Sequence, residues 1–361
     1  MLDKDFGIER EWDIDLLSGY DHVFVKNTST APGSHHYKGI INPSLISEVA
    51  AFQPDKIIVY GWKFNSHLKV LRHFKEKIPL YFRGDSTLLD EPAGFNIKKA
   101  MRRLLLQWVY RHVDFVLSPG SASDAYFLNA GLSANQIIRA PHAVDNARFS
   151  GTVIPDKHSS YEESARNWRN ELSILEDKKV FLFAGKFEPK KDPILLVNTF
   201  ARLQQQYPNT HLIMVGNGIL EEELKNLTSI PITFLPFQNQ SIMPVVYRLG
   251  DVFVLPSKGP GETWGLAINE AMACGRPVIV SDKCGAAVDM LKNNENGFIF
   301  KAGDENDLYN CMEKMVNADT SSMGAKALQT VQAFNYVSFA RAISNFESSG
   351  LKPDSIPSTS N

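Results

Sequence analysis

Short runs rich in Val, Ile, Leu and Phe recur along the chain, separated by longer stretches in which apolar residues return every three or four positions. Runs of the first kind suit strands buried on both faces, and the second pattern suits helices packed over them. Their alternation predicts parallel βαβ units. In the first half the strands are expected at 22–26, 56–60, 80–83, 114–118 and 137–140. In the second half they are expected at 180–184, 211–215, 232–235, 252–255, 278–281 and 298–300. Between the halves the chain is polar and Ser/Glu-rich, with no strong periodicity until Trp168. The expected fold class is therefore α/β, two doubly wound Rossmann-like parallel-sheet domains facing a central crevice. Ligands of such sheets bind beyond the carboxyl ends of the strands. The expected boundaries are a first domain over 1–150, a linker with a leading helix over 151–178, and a second domain over 179–333. A C-terminal helix over 334–348 is expected to pack back toward the first domain, and a Pro/Ser-rich tail, 349–361, to be disordered.

Composition narrows the function classes. A chain of 361 residues supports two domains with separate cores, and 43% hydrophobic with 22% charged residues is the balance of a globular protein. A formal charge of −2 gives no basic excess, which argues against a dedicated nucleic-acid binder. Cys274, Cys284 and Cys311 form no C-x-x-C pair and no metal-ligand spacing, which points to a reducing cytoplasm. No segment reaches the ~20 apolar residues of a membrane span, and the acidic, polar opening is no signal peptide. The expected location is the cytoplasm, at most peripheral on the inner face of the cell membrane.

The densest chemistry lies at 256–275. A buried strand ends at Leu255, a Gly/Pro loop follows, and a helix is expected from Thr263, as N-cap, to Gly275, as the residue past its end. A strand–Gly loop–helix unit presents free N–H groups and a positive dipole end to an anion, so a diphosphate suits it. Glu262 precedes the helix and Glu270 lies two turns in, about 10 Å away by the rise per residue. That separation suits two polar ends of one extended ligand, a ribose diol at one and a hexose at the other. A lone Glu270 beside Ala267, Ala271 and Met272 would be costly without a partner. Gly216-x-Gly218-x-x-Glu221 is only half of a dinucleotide fingerprint, with no acidic residue ending the next strand, which argues against a dehydrogenase. The nine histidines show no metal-ligand spacing, and no metal or other cofactor is expected.

Glu262-x₇-Glu270, within Gly261-Glu262-Thr263-Trp264-Gly265-Leu266 and followed by Glu270-Ala271-Met272-Ala273-Cys274-Gly275-Arg276-Pro277, resembles the retaining glycosyltransferases of family 4 (group 1 glycosyl transferases, GT-B fold). Ala184-Gly185-Lys186-Phe187-Glu188-Pro189-Lys190-Lys191 resembles the family's strand-end segment, whose Arg and Lys clamp the donor diphosphate. Val215-Gly216-Asn217-Gly218 resembles its next glycine turn. The resemblance covers about 180–318. Lys186 stands where the family has Arg, so the charge is kept but the planar fork is lost. The resemblance implies a nucleoside-diphosphate sugar donor and transfer with retention to a glycan or lipid-linked acceptor, in cell-surface polysaccharide or glycolipid synthesis. It assigns Lys186, Lys191 and the helix N-terminus to the leaving diphosphate, and Glu270 to the ribose. Glu262 and the N–H groups of Gly265 and Leu266 orient the sugar, with Gly185, Gly216, Asn217 and Ala267 completing the donor site.

The first half departs from the family. Its opening βα unit with a glycine loop is not found before residue 22, which predicts an open strand edge at 22–26 or 56–60. The strand at 80–83 is followed by no histidine. Arg83, Asp85 and Ser86, at its carboxyl end, are candidates for acceptor or sugar contacts, or equally for a turn and cap. His142 lies in a segment resembling the domain junction and reads as structural. The segment 98–111 carries five basic and no acidic residues. As an amphipathic helix it suits an anionic membrane surface, and its apolar side equally suits packing on the sheet. A non-catalytic nucleotide-sugar-binding remnant, or a GT-B epimerase or phosphorylase, are the alternative readings.

Overall fold

The computed structural model describes residues 2–3, 8–9, 12–91, 94, 96–151, 160–227, 230 and 232–348. The tail expected at 349–361 lies outside the described residues, as do residues 152–159 of the expected linker.

The first domain contains α1 (Leu45–Phe52), β3 (Ile57–Tyr60), α2 (Asn65–Phe74), β4 (Leu80–Arg83), α3 (Ile97–Tyr110), β5 (Phe115–Ser118), α4 (Ser121–Asn129) and β6 (Ile137–Arg139). Its four strands are parallel in the order β3-β4-β5-β6, with β3 at one edge. A two-residue antiparallel pair, β1 (Leu2–Asp3) and β2 (Ile8–Glu9), stands apart from this sheet. Helices α5 (Asn146–Ser150) and α6 (Tyr161–Glu171) lead into the second domain.

The second domain begins with β7 (Lys179–Ala184), α7 (Pro193–Gln206), β8 (Thr210–Val215), α8 (Glu221–Asn226), β9 (Thr233–Leu235), α9 (Met243–Arg248) and β10 (Val252–Leu255). It continues with α10 (Leu266–Ala273), β11 (Val278–Ser281), α11 (Ala287–Met290), β12 (Gly297–Phe300), α12 (Glu305–Asn317) and α13 (Thr320–Val331). Helix α14 (Tyr336–Ser348) follows. The six strands are parallel in the order β12-β11-β10-β7-β8-β9.

Why the apolar runs become central strands is clearest at β7. Successive side chains point to opposite faces, and both faces here are covered. Val180, Leu182 and Ala184 join the layer of Tyr247, Ile268 and Met272, while Phe181 and Phe183 join that of Phe200, Leu203 and Met312. A strand with helices on both sides has no place for alternating polar residues, hence the continuous run. Helix α14 returns to the first domain, where Phe339, Ala342 and Ile343 pack against Tyr81, Leu117, Ile138 and Ala140.

Two expectations are overturned. Residues 22–26 form no strand. Val23 and Phe24 are exposed, and the carbonyls of Val25 and Lys26 accept from the Asn42 side-chain amide. The run has the residue types of a strand but no neighbouring strand to complete its ladder, and side chains tie down an extended strap instead. The helix after the Gly/Pro loop begins at Leu266, not Thr263, and Gly265 occupies its N-cap position with φ +93°. Thr263 spends its hydroxyl across the crevice, donating to Asp85 at 2.8 Å.

Candidate functional site

The order of the second sheet dictates where a crevice opens. From β7 the chain moves outward through β8 and β9, then returns to the other side of β7 with β10 and moves outward through β11 and β12. The loops after β7 and β10 therefore leave toward opposite faces, and a gap opens at their carboxyl ends. Those loops carry 185–191 and 256–265.

The two loops are tied together across that gap. Lys191 Nζ forms an ion pair with Glu262 Oε2, and the buried Ser257 hydroxyl donates to the same oxygen at 2.8 Å. Lys258 N–H donates to the Lys190 carbonyl at 2.9 Å, and Lys258 Nζ pairs with Asp192 at 2.9 Å. Glu262 is itself buried, so a bare carboxylate there would be expensive, and the ammonium and hydroxyl offset that cost. Lys186 lies half-buried on the loop after β7, and its carbonyl accepts from Glu188 N–H.

Glycines let backbone approach backbone beside this pair. Gly216 has φ +139°, and a Cβ there would stand 2.0 Å from the Gly185 carbonyl oxygen. Asn217 accepts from Phe187 N–H at 2.9 Å, which closes the β8 turn over the β7 turn. At Gly265 the backbone is again left-handed, and a Cβ would crowd Leu255 and Ile268. Leu266 and Ala267 then open α10, with Leu266 exposed.

Glu270, on α10, accepts a hydrogen bond from the Tyr247 hydroxyl at 2.6 Å. Burial raises its carboxyl above the ordinary glutamate value, opposed by the Tyr247 hydrogen bond, the Arg148 charge and the Gln240 amide. Arg148 is held by the Gln240 carbonyl at 2.5 Å and side-chain oxygen at 3.1 Å. Glu262 and Glu270 thus occupy separate polar niches, one facing lysine and the other facing tyrosine, arginine and glutamine.

The facing wall comes from the first domain. Asp85 binds Thr263, and Asp90 accepts from Gly261 N–H at 2.7 Å. Arg83 turns inward. Its guanidinium donates to the carbonyls of Leu117 and Ala140 at 2.9 and 2.5 Å and meets His142 Nδ1 at 3.2 Å. Ser86 follows half-buried on the same loop. A cavity of about 530 Å³ lies here, lined by Tyr60, Arg83, Asp85, His142, Tyr336 and Phe339 among others. His142 is pushed down to about 4 by burial and then by Arg83, with Asp85 opposing.

Several of these residues are not legible in the sequence as members of a site. Ser257 has a usable signal, since it follows the buried run 252–255 at a strand's carboxyl end. Tyr247, Gln240 and Arg148 have none, because each reaches Glu270 from a different element. His142 reads as a junction residue, and only the fold places it against Arg83 and, at 5.6 Å between ring centres, against Trp264.

Residues 164–327 match the family model of glycosyl transferases group 1. The match falls on the second domain and the helix that leads into it. Among curated relatives, the sulfoquinovosyl transferase SQD2 of Arabidopsis thaliana is 26% identical over 291 residues, covering 76% of this chain and 52% of that protein. A D-inositol 3-phosphate glycosyltransferase of Rhodococcus erythropolis is 30% identical over 182 residues, covering 46% of this chain and 40% of that one. The chain thus spans about half the length of such relatives or less. Among solved structures, Anabaena HepE in complex with UDP-glucose superposes with TM-score 0.63 at 20% identity, covering 84% of this chain and 82% of that one. The lipopolysaccharide outer core galactosyltransferase WaaB superposes with TM-score 0.61 at 19% identity, covering 84% and 78%. The fold is GT-B, two Rossmann-like parallel-sheet domains, and the segment similar to group 1 glycosyl transferases carries Lys191, Glu262 and Glu270.

Proposed function

We propose that this chain is a retaining glycosyltransferase of family 4 that moves a sugar from a nucleoside diphosphate to a hydroxyl of a glycan or lipid-linked acceptor. The observation that carries the reading is the Lys191–Glu262 pair at the crevice between the loops after β7 and β10. The glycine turns of β7 and β8 and the N-terminus of α10 lie beside it. The UDP-glucose complex of a protein of the same fold supports a nucleotide-sugar donor. A structural neighbour named as a lipopolysaccharide outer core galactosyltransferase supports a role in cell-surface polysaccharide or glycolipid synthesis.

In this reading the bond between the anomeric carbon and the diphosphate oxygen breaks while the acceptor oxygen bonds to the same face. The acceptor's proton passes to the leaving diphosphate. Lys186, Lys191 and the α10 N-terminus stabilise the charge that grows there, with no divalent cation. Glu270 takes the ribose hydroxyls, and Glu262 with the Gly265 and Leu266 N–H groups orients the sugar.

Calorimetric titration with UDP and with uridine tests the assignment. Because Lys191→Met alone would strand a buried carboxylate, the variant is Lys191→Met/Glu262→Gln. It is expected to weaken UDP about tenfold or more and to leave uridine unchanged, whereas Glu270→Ala weakens both. Equal losses for both ligands in the double variant would remove Lys191 from the phosphates. Binding of UDP-glucose without transfer to any acceptor, in EDTA or in magnesium, would favour the non-catalytic remnant.

A further inference from the structure

Helix α3 is apolar on two opposite sides, and the fold uses only one of them. Leu106, Val109 and Tyr110 are buried against Phe82 and Phe127. At about 100° per residue, Ile97, Met101, Leu104 and Leu105 fall on the other side of the helix, with Trp108 ending the same stripe. Their exposures are 69%, 66%, 67% and 46%. The sequence does not separate a core-facing stripe from an outward one, and the structure shows that the helix has both.

Cations border the outward stripe. Lys98 lies next to it at the N-terminal end. At the other end the guanidinium groups of Arg72 and Arg111 sit 5.8 and 5.9 Å from the Trp108 ring. Lys69, Arg72, His73 and His112 line an adjoining hollow. The helix itself carries no acidic residue. Arg102 is paired with Glu91 at 3.1 Å, and Lys99 and Arg103 line a basic recess behind the stripe.

From this arrangement we propose that α3 docks the protein on an anionic lipid surface. Ile97, Met101, Leu104 and Leu105 enter the boundary between headgroups and acyl chains, and Lys98, Arg72 and Arg111 meet lipid phosphates. Apolar side chains flanked by long cationic ones suit such a boundary, because Lys and Arg stems lie along the apolar layer while their heads stay at the phosphates. Trp108, half-buried against the first-domain core, closes the stripe at its C-terminal end. A second copy of this chain is a poor occupant, since two α3 helices would bring their cations face to face. No helix among the described residues is long and apolar enough to cross a bilayer, so the contact is with the surface. This inference stands independently of the transferase reading.

The test is co-sedimentation of the full chain with vesicles of phosphatidylcholine alone or mixed with phosphatidylglycerol. Binding is expected only to the mixed vesicles and is expected to weaken with added salt. Met101→Ser/Leu104→Ser should lower it at least about tenfold, and Arg72→Gln/Arg111→Gln should lower it severalfold. Both pairs are exposed, so the melting temperature and UDP titration should match the parent and exclude unfolding. Equal binding to neutral vesicles, or undiminished binding by the serine variant, would overturn the proposal. So would concentration-dependent dimerisation that the serine variant abolishes, which would assign the face to a second copy.

Discussion

Arg83 can only donate, so the His142 Nδ1 that it meets is the acceptor and the neutral ring carries its proton on Nε2. That tautomer follows from the partner and explains part of the ring's reluctance to ionise, since protonating Nδ1 would set two cations against each other. An unfolded chain takes up a proton on this residue near pH 6.5, but the folded molecule resists until about pH 4. The contribution of His142 to stability is therefore full above pH 6.5 and is lost as the pH falls toward 4. Thermal melts of the parent and His142→Asn at pH 7.5 and pH 5 should differ in slope, the parent losing about 2 kcal/mol more over that interval. His211, likewise lowered to about 4, keeps part of the slope in the variant. Parallel melting profiles would show that His142 is not held neutral.

At the level of elements, the glycine turns after β7 and β8 set how closely the loops that leave these two strands can approach each other. Gly216 combines a left-handed φ with a missing Cβ directly against the Gly185 carbonyl, so an alanine there is both strained and obstructed. Gly185 is different, because a Cβ added to it would meet only the Phe183 ring, at 3.4 Å. Gly216→Ala should therefore cost about 2–4 kcal/mol and weaken UDP sharply, while Gly185→Ala should stay within about 1 kcal/mol of the parent. Chemical denaturation compares them, and similar costs at the two positions would discredit the backbone-contact argument. In the linear sequence both glycines are strand-end punctuation and nothing ranks one above the other. Which of the two is indispensable depends on a contact between segments 31 residues apart (216 against 185).

Across the whole molecule, polar ties around the crevice join the two domains beside the apolar packing of α14 on the first sheet. Asp289 of α11 accepts from Ser121 N–H at 2.8 Å and from the Ser121 hydroxyl at 2.6 Å, and pairs with Arg139 at 3.0 Å. Asn269 donates to the His142 carbonyl at 3.2 Å, and Asn146 to the Val331 carbonyl at 2.9 Å. Asp289 lies outside the loops after β7 and β10, so Asp289→Ala should loosen closure without touching the proposed nucleotide site. The expected result is a larger radius of gyration by small-angle scattering and a kcat/KM lower by about tenfold, with UDP affinity unchanged. An unaltered scattering profile together with full activity would show that this tie does not govern closure.

Local pattern alone determined the α/β class, the strands from 56–60 onward and the strand–glycine loop–helix unit at 256–275. A strand buried on both faces must be apolar throughout, and a glycine loop before a helix leaves N–H groups free, whatever lies elsewhere. Tertiary structure decided the rest. Residues 22–26 have the composition of a strand, but a ladder needs a neighbour, and the alternation of side chains cannot supply one. Thr263 resembles an N-cap by position, yet its hydroxyl is claimed by Asp85 from 178 residues away. Glu270 had to have a partner once buried, but only the packing of α9 against α10 names it as Tyr247. The same holds for α3, whose composition offers two apolar sides. Which of them faces the core is set by the sheet it lies against, and that choice leaves the other side to the surroundings.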